Sequence, residues 1–288
     1  MNEINKLLSS LNLKPLKYQK IDNIYIVDTQ DNKYVIKKSN KEIYNYLISR
    51  DYTNIPKITY LDDYIIYEYE DDIKRPDEQK ILDLVYLVSL LHKKTSYSKN
   101  ICENDLKEIY EDIMGNINFL KVYYDVLMTN IESMEIISPA KYYLARNISL
   151  VYLSLNKCEK DINTWYKNNK AKESMRYTLN HNNLNLKHII NNHLISFEHA
   201  KENVPIYDLY KLYKDTYNMT DWYDVYLKYS KEYKLDKDEE DIFIILILLP
   251  PKIEFANNEY ENTLRVEEAI EYLNITSDFV SRIVSTKK

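Results

Sequence analysis

The periodicity of apolar residues changes once along this chain, between Glu70 and Pro76, and that change limits the folds it can adopt. Before it lie short β-rich runs such as "NIYIVDT" and "KYVIKKS", which predict β-strands. After it, "DEQKILDLVYLVSLLHKKT" repeats its apolar residues with the period of a helix. The pattern predicts an α+β fold with a small N-terminal lobe at 1–71 and a large helical lobe at 72–288.

The N-terminal lobe is predicted to contain one sheet and one helix. Its first two strands flank a polar turn at 30–32, and "KITYLDDYIIYEYED" supplies two more strands around Asp62 and Asp63. Between the pairs, "NKEIYNYLISRDY" predicts a helix that Asn40 caps and that ends by Pro56. The expected order is strand, strand, helix, strand, strand.

The large lobe is predicted to be helical with one exception. The segment "YYLARNISLVYLSLNKCEKDINTWYK" predicts a long amphipathic helix, and the run from Ile242 to Leu249 is apolar on all sides, which predicts a buried helix stopped by Pro250. In "HIINNHLISFE", two short apolar runs flank Asn191 and Asn192, and Asn tolerates the positive φ of a tight turn. We therefore expect a β-hairpin inside the helical lobe.

Composition disfavours several classes of function. With 45 acidic and 39 basic residues the formal charge is −6, so the chain carries no general attraction for nucleic acid or anionic lipid. The apolar run at 242–249 is too short to cross a bilayer, and the first twenty residues lack the apolar core of a signal peptide. We expect a cytoplasmic protein that neither binds nucleic acid nor inserts into a membrane.

Glycine and cysteine usage narrow the chemistry further. Gly115 is the single glycine and sits in a helical pattern. Glycine-rich phosphate loops, and with them the usual Walker and Rossmann motifs, are therefore excluded. Cys102 and Cys158 lack metal-site spacing and are predicted to be reduced side chains on helices.

Five fragments in sequence resemble one family. They are Val35-Ile36-Lys37 on a strand, "YNYLISRDYTNIPKI", "LVSLLHKKT", the segment from His181 to Glu198, and "VPIYDLYKLYK". In this order they resemble the aminoglycoside phosphotransferase and choline kinase branch of the protein-kinase-like fold, and within it the bacterial spore-coat kinase-like proteins of the CotS type. The resemblance implies two lobes, a small β-sheet lobe with one helix and a large α-helical lobe carrying the hairpin.

The resemblance also assigns roles to the segment that begins at His181. In active relatives His-Gly-Asp is followed by Asn and then by a metal-binding Asp in the hairpin. Here His181 matches the bracing His, while Asn183, His188 and Ser196 stand at the Asp, Asn and Asp positions. An amide cannot accept a proton, and imidazole and hydroxyl are poor ligands for Mg²⁺. The three positions that carry the chemistry are therefore degenerate.

The remaining candidate residues are weaker. Lys37 resembles the lysine that pairs with nucleotide phosphates and with a helix Glu, for which Glu42 is the nearest candidate; "VIKK" is equally an ordinary strand end. Glu198 is the carboxylate left near the site and, on an extended strand, would lie one pleat from Ser196 as a metal candidate. A zinc site formed by His181, His188, His193 and His199 is disfavoured, because a hairpin points alternate residues to opposite faces. Asp208 is interpreted as a helix-start residue of the scaffold.

Three functions follow from these residues. The first is a catalytically inactive kinase-like protein (a pseudokinase) acting as a binding or scaffold module, with no cofactor and with a protein partner, possibly spore-coat components if the resemblance extends to function. The second is an atypical small-molecule phosphotransferase that uses ATP and Mg²⁺ in an unusual metal arrangement built on Glu198, with Asn183 as a further candidate. The third is a protein that binds a nucleotide or metabolite without transferring phosphate. The location is then the cytoplasm or the spore coat.

Overall fold

The computed structural model of the chain describes residues 8–10, 14–22 and 24–286. The chain divides into two compact units, one that combines Met1–Ser96 with Thr178–Glu202 and one that combines Tyr97–Tyr177 with Asn203–Lys288. The segment with the changed positions therefore belongs to the same unit as the N-terminal sheet. The lobe boundary between residues 71 and 72 stays a prediction.

An antiparallel sheet of five strands forms the first unit's framework, in the order β1-β2-β3-β5-β4. Its strands are β1 Lys17–Ile21, β2 Ile24–Asp28, β3 Lys33–Lys38, β4 Thr59–Leu61 and β5 Tyr64–Glu68. Four of these were predicted, although Asn23, with which the first predicted strand begins, lies outside the described residues. Strand β1 was missed because all five of its residues are exposed and show no apolar alternation.

Both faces of the sheet's centre are covered. In β3 the consecutive residues Val35, Ile36 and Lys37 are all buried, and Ile36 packs in a cluster with Val27 and Ile66. Successive side chains of a strand point to opposite faces. Lys37 therefore lies on the face opposite to Ile36, and its ammonium group needs a polar partner in a buried setting.

Two helices with described bounds lie between and after these strands, in addition to the helical residues 8–10. Helix α1 (Lys41–Ser49) is capped by Asn40, whose side chain accepts a hydrogen bond from Glu42 N, and it ends before Asp51, at φ 56°, instead of continuing towards Pro56. Helix α2 (Asp77–Thr95) begins after Pro76 and buries the predicted face. The residues of that face, all fully buried, are Ile81, Leu84, Val85, Val88 and Leu91.

The predicted hairpin is present and is tied to the segment at 70–75. Strands β8 (Ile189–Ile190) and β9 (His193–Leu194) pair antiparallel around Asn191, whose φ is 51°. The Asn191 side chain accepts a hydrogen bond from Ile73 N (3.2 Å) and donates one to Glu70 (3.0 Å). Arg75 donates to the Asn191 carbonyl at 2.8 Å. Because these bonds use both backbone and side chain, Asn191 fixes the hairpin against this segment.

The second unit is mainly helical, and strands that the sequence did not predict lie where the chain passes from one unit to the other. Strands β6 (Tyr97–Asn100) and β7 (Ser174–Asn180) pair antiparallel from Tyr97 with Tyr177 to Asn100 with Ser174, and β10 is Lys201–Asn203. The helices are α3 Glu103–Glu132, α4 Pro139–Asn169, α5 Ile206–Thr216, α6 Trp222–Glu232, α7 Lys237–Leu248 and α8 Glu259–Ser285. None of the helices in the described ranges is long and apolar enough to cross a membrane.

The predicted buried helix is α7, and its apolar run is confirmed as core. It also buries Glu239 and Glu240 in its first turn; Arg176 pairs with Glu239, and the Tyr226 hydroxyl donates to Glu240. Cys158 is buried within α4, whereas Cys102 caps α3 and is exposed, which corrects its predicted place on a helix. The backbone N–H of Cys102 donates to the Asp105 carboxylate at 2.7 Å, which satisfies a donor at the start of α3.

Substitutions at Asn191 test the hairpin's attachment. Asn191→Ala forces an alanine into positive φ and removes two side-chain hydrogen bonds, so it should lower the free energy of unfolding by about 2–3 kcal/mol. Asn191→Gly loses the bonds without the strain and should cost about 1–2 kcal/mol. Urea denaturation measures both; Asn192→Ala is the control, expected within about 0.5 kcal/mol of wild type. Equal losses for Ala and Gly would contradict the assigned turn.

Candidate functional site

The candidate site is built on β3 and on the chain that follows β7. His181 is fully buried and its Nε2 donates a hydrogen bond to the Ile195 carbonyl at 2.8 Å. Its ring contacts those of His188 and Phe197, with centroids 5.3 and 5.0 Å apart. His181 thereby connects the loop before the hairpin to the chain after it.

The strongest polar contact of the site joins Lys37 to Glu198. The Lys37 ammonium lies 2.5 Å from Glu198 Oε1 and 3.4 Å from Ser196 Oγ. The Lys37 side chain is 4% exposed and that of Glu198 31%. Burial lowers the pKa of Lys37, and the Glu198 carboxylate acts in the opposite direction by favouring the charged ammonium. The partner of Lys37 is therefore Glu198, whereas the candidate Glu42 is exposed on α1.

Glu198 reaches Lys37 because the chain after the hairpin is not an extended strand. Ser196 has φ 70° and precedes a 3-10 turn at Phe197–His199. The expectation that Glu198 lies one pleat from Ser196 on a strand is therefore wrong. Turning at Ser196 buries Phe197 next to His181 and Tyr44, and this packing carries the Glu198 carboxylate to the ammonium.

His188 is held as a neutral imidazole. Its Nδ1 donates to the Asn183 carbonyl at 2.5 Å, which leaves Nε2 as the unprotonated nitrogen. Burial, followed by the neighbouring His181 and Lys37, lowers the pKa of His188 to about 4, against smaller opposing contributions from the Asn183 bond and Glu198. At neutral pH the candidate proton-acceptor and metal positions, Asn183, His188 and Ser196, are all uncharged.

These residues line a cavity of about 700 Å³. Three lysines contribute to its wall, Lys20, Lys37 and Lys38, against the two carboxylates Asp22 and Glu198. Lys20 and Asp22 were missed because strand β1 was missed; the pair Asp22-Asn23, a turn signal ahead of the β-rich run, was the one indication in the sequence. The cavity is of a size that small ligands occupy.

The donor set does not fit a bound Mg²⁺ ion. Mg²⁺ requires oxygen ligands with carboxylate charge, and the Glu198 carboxylate, the metal candidate, is engaged by Lys37. No group of three or more His, Cys, Asp or Glu in the described ranges is arranged to hold a metal. Nor do the four histidines converge: His193 pairs with Glu70 at 3.1 Å, while His181 binds a backbone carbonyl.

The pairing of Lys37 is testable by comparing two glutamates. Glu198→Gln keeps the side chain's shape but leaves the buried ammonium without its counter-charge. Because Glu198 is partly exposed, we expect a loss of about 2 kcal/mol in unfolding free energy, below the ~3–5 kcal/mol of a fully buried pair. Glu42→Gln, the matched control, should change it by less than about 0.5 kcal/mol. The opposite ranking in urea denaturation would contradict the pairing.

The depressed pKa of His188 predicts a pH dependence. Between pH 6.5 and about 4 the unfolded chain binds a proton at this imidazole that the folded state does not. Stability from this residue is therefore present above pH 6.5 and is lost as the pH falls. His188→Asn keeps an N–H donor for the Asn183 carbonyl and does not titrate. As the pH falls over this range, its free energy of unfolding should therefore decrease by about 1–3 kcal/mol less than that of wild type. Parallel pH profiles in urea denaturation would refute this.

Solved structures share this architecture. An aminoglycoside phosphotransferase from Alicyclobacillus acidocaldarius is similar with a TM-score of 0.65 and 10% identity, over 94% of this chain and 93% of that chain. The AMP-bound complex of a spectinomycin phosphotransferase is similar with a TM-score of 0.50 and 14% identity, over 94% of this chain and 97% of that chain. A choline kinase from Streptococcus pneumoniae has a TM-score of 0.47 and 15% identity, over 98% of this chain and 96% of that chain.

Sequence comparison adds no closer assignment, since no protein-family model and no curated protein matches the chain. Similarity at 10–14% identity shows the fold. The predicted α+β architecture, with a small antiparallel N-terminal sheet and a larger helical part, is confirmed. The chain has the kinase-like fold that is also found in aminoglycoside phosphotransferases.

Proposed function

We propose that this chain is a catalytically inactive kinase-like protein that acts as a binding or scaffold module. The observation that carries the proposal is the Lys37–Glu198 ion pair at 2.5 Å. It commits the buried lysine of the cavity and the carboxylate beside it to each other. An active site for phosphate transfer needs a proton acceptor and a metal site. The Asn183 amide at the acceptor position cannot take a proton, and the imidazole of His188 and the hydroxyl of Ser196 at the metal positions are poor ligands for Mg²⁺.

A binding role is supported by the surface of α3. Phe119, Val122 and Val126 recur at the spacing of one helical face, and each is more than half exposed. Large apolar side chains grouped on a surface are typical of sites that other proteins cover. The expected partner is therefore a protein.

The spore-coat setting of this proposal rests on the resemblance of the sequence to CotS-type proteins. It places the protein in the cytoplasm of a sporulating cell or in the coat itself, with coat components as partners. The genes beside its own provide the test: a sporulation cluster supports this setting, and a biosynthetic cluster contradicts it.

An atypical ATP-dependent phosphotransferase is the alternative function. It is favoured by one observation, the retained cavity of about 700 Å³ with Lys37 and the partly exposed Glu198 in its wall. In that case the ion pair would open when a nucleotide and Mg²⁺ enter, and Glu198 would become a metal ligand. The two functions therefore differ in whether nucleotide binding depends on Mg²⁺.

Thermal unfolding with ATP separates these functions without knowledge of a substrate. For the inactive scaffold, neither 5 mM MgATP nor ATP with EDTA should stabilise the chain, because Lys37 is already paired with Glu198 and the site offers no place for the metal. A phosphotransferase should instead be stabilised in a Mg²⁺-dependent manner, and Glu198→Gln should abolish that stabilisation. Stabilisation by ATP that is equal with and without Mg²⁺ would identify a nucleotide-binding protein. An active aminoglycoside phosphotransferase is the positive control.

A further inference from the structure

A second cavity lies within the C-terminal unit and contains a cation with no counter-charge. Its volume is about 580 Å³, and its wall is formed by α5 with Tyr217, by residues 251–254 after α7, and by α8. Lys214, in the last turn of α5, is half-buried and lines the cavity. Lys214 is the last residue of the fragment "VPIYDLYKLYK", and it is not part of the candidate site.

Lys214 is held by an aromatic ring alone. Its ammonium lies 4.4 Å from the centroid of the Tyr272 ring. Within the described ranges, the ammonium makes no hydrogen bond and no ion pair. Burial lowers the pKa of Lys214, with no nearby carboxylate opposing the shift. A half-buried ammonium in this setting is incompletely solvated and therefore favours an incoming anion.

Two acidic residues contribute to the wall. Glu254 pairs with Lys252 at 2.5 Å, and Arg265 donates to the Glu254 backbone carbonyl at 2.6 Å. Glu268 is exposed on α8. Three cations, Lys214, Lys252 and Arg265, thus face two carboxylates across one cavity, and its net charge is positive.

The rest of the wall is apolar or aromatic. Pro251, Ile253 and Ala269 contribute to it, together with the rings of Tyr217 and Tyr272, which meet edge to face at 4.9 Å. The Tyr272 hydroxyl donates to the Ile247 carbonyl at 2.6 Å, so its ring is fixed in place under Lys214. Rigid apolar walls with one positive group are suited to a ligand that is both apolar and anionic.

We propose that this cavity is a binding site for a small molecule that joins an oxyanion, either phosphate or carboxylate, to an apolar body, with Lys214 as its anion-binding group. The oxyanion replaces the water that half-burial has removed from the ammonium, and the apolar body packs on Tyr217 and Ile253. This site is independent of the kinase-like cavity, so it does not depend on the function proposed above.

Calorimetry with phenyl phosphate, benzoate and inorganic phosphate tests the site. At least one of the two aromatic probes should bind the wild-type chain, and inorganic phosphate should bind more weakly. A hydrogen bond to a charged group corresponds to about a 10–100-fold change in affinity, so Lys214→Met should weaken probe binding by at least about tenfold. Lys214→Arg should retain it. Which probe binds distinguishes a phosphate from a carboxylate ligand.

Lys211→Met is the matched control, because Lys211 lies one turn earlier on α5 and does not line the cavity; it should bind the probes as wild type does. Without probe, Lys214→Met should melt at or above the wild-type temperature, since an ammonium that lacks a counter-charge is removed. The proposal would be overturned if neither aromatic probe binds at 20 mM, a concentration on the order of the dissociation constants of the weakest specific complexes. Unchanged binding to Lys214→Met, or inorganic phosphate binding as tightly as phenyl phosphate, would also overturn it.

Discussion

The ion pair between Lys37 and Glu198 is the constraint on which the kinase-like cavity depends. A lysine in the middle of a sheet whose two faces are covered would be unstable without a counter-charge, and Glu198 provides it at 2.5 Å. To bring that carboxylate into place, the chain turns at Ser196 in the left-handed region and buries Phe197 beside His181. The ion pair and the packing of Phe197 therefore occur together along the cavity wall.

The same unit keeps its geometry by contacts that need no ligand. His181 bonds the Ile195 carbonyl, His188 bonds the Asn183 carbonyl, and Asn191 attaches the hairpin to residues 70–75. Of the changed positions, His188 bonds the Asn183 carbonyl and Ser196 Oγ lies 3.4 Å from the Lys37 ammonium. These contacts hold the cavity wall within the chain itself.

Sequence reasoning found the elements whose apolar periodicity is strong and missed those that depend on distant contacts. Helix α2, helix α7 and the Asn191 hairpin were predicted because their patterns or turn residues are local. Strand β1 was missed because it lies at the sheet's edge with every residue exposed. The partner of Lys37 was missed because Glu198 is 161 positions away and becomes its neighbour only through the positive φ of Ser196, a conformation that serine rarely adopts.

Because Glu198 neutralises Lys37, we propose that the cavity contains no metal site. Electron paramagnetic resonance with Mn²⁺ in place of Mg²⁺ tests it directly, because the spectrum of Mn²⁺ bound to ATP broadens when a protein supplies further ligands. We expect the Mn²⁺–ATP spectrum to remain unchanged when this protein is added. A broadened spectrum that saturates at one Mn²⁺ per chain and reverts in the Glu198→Gln variant would contradict it.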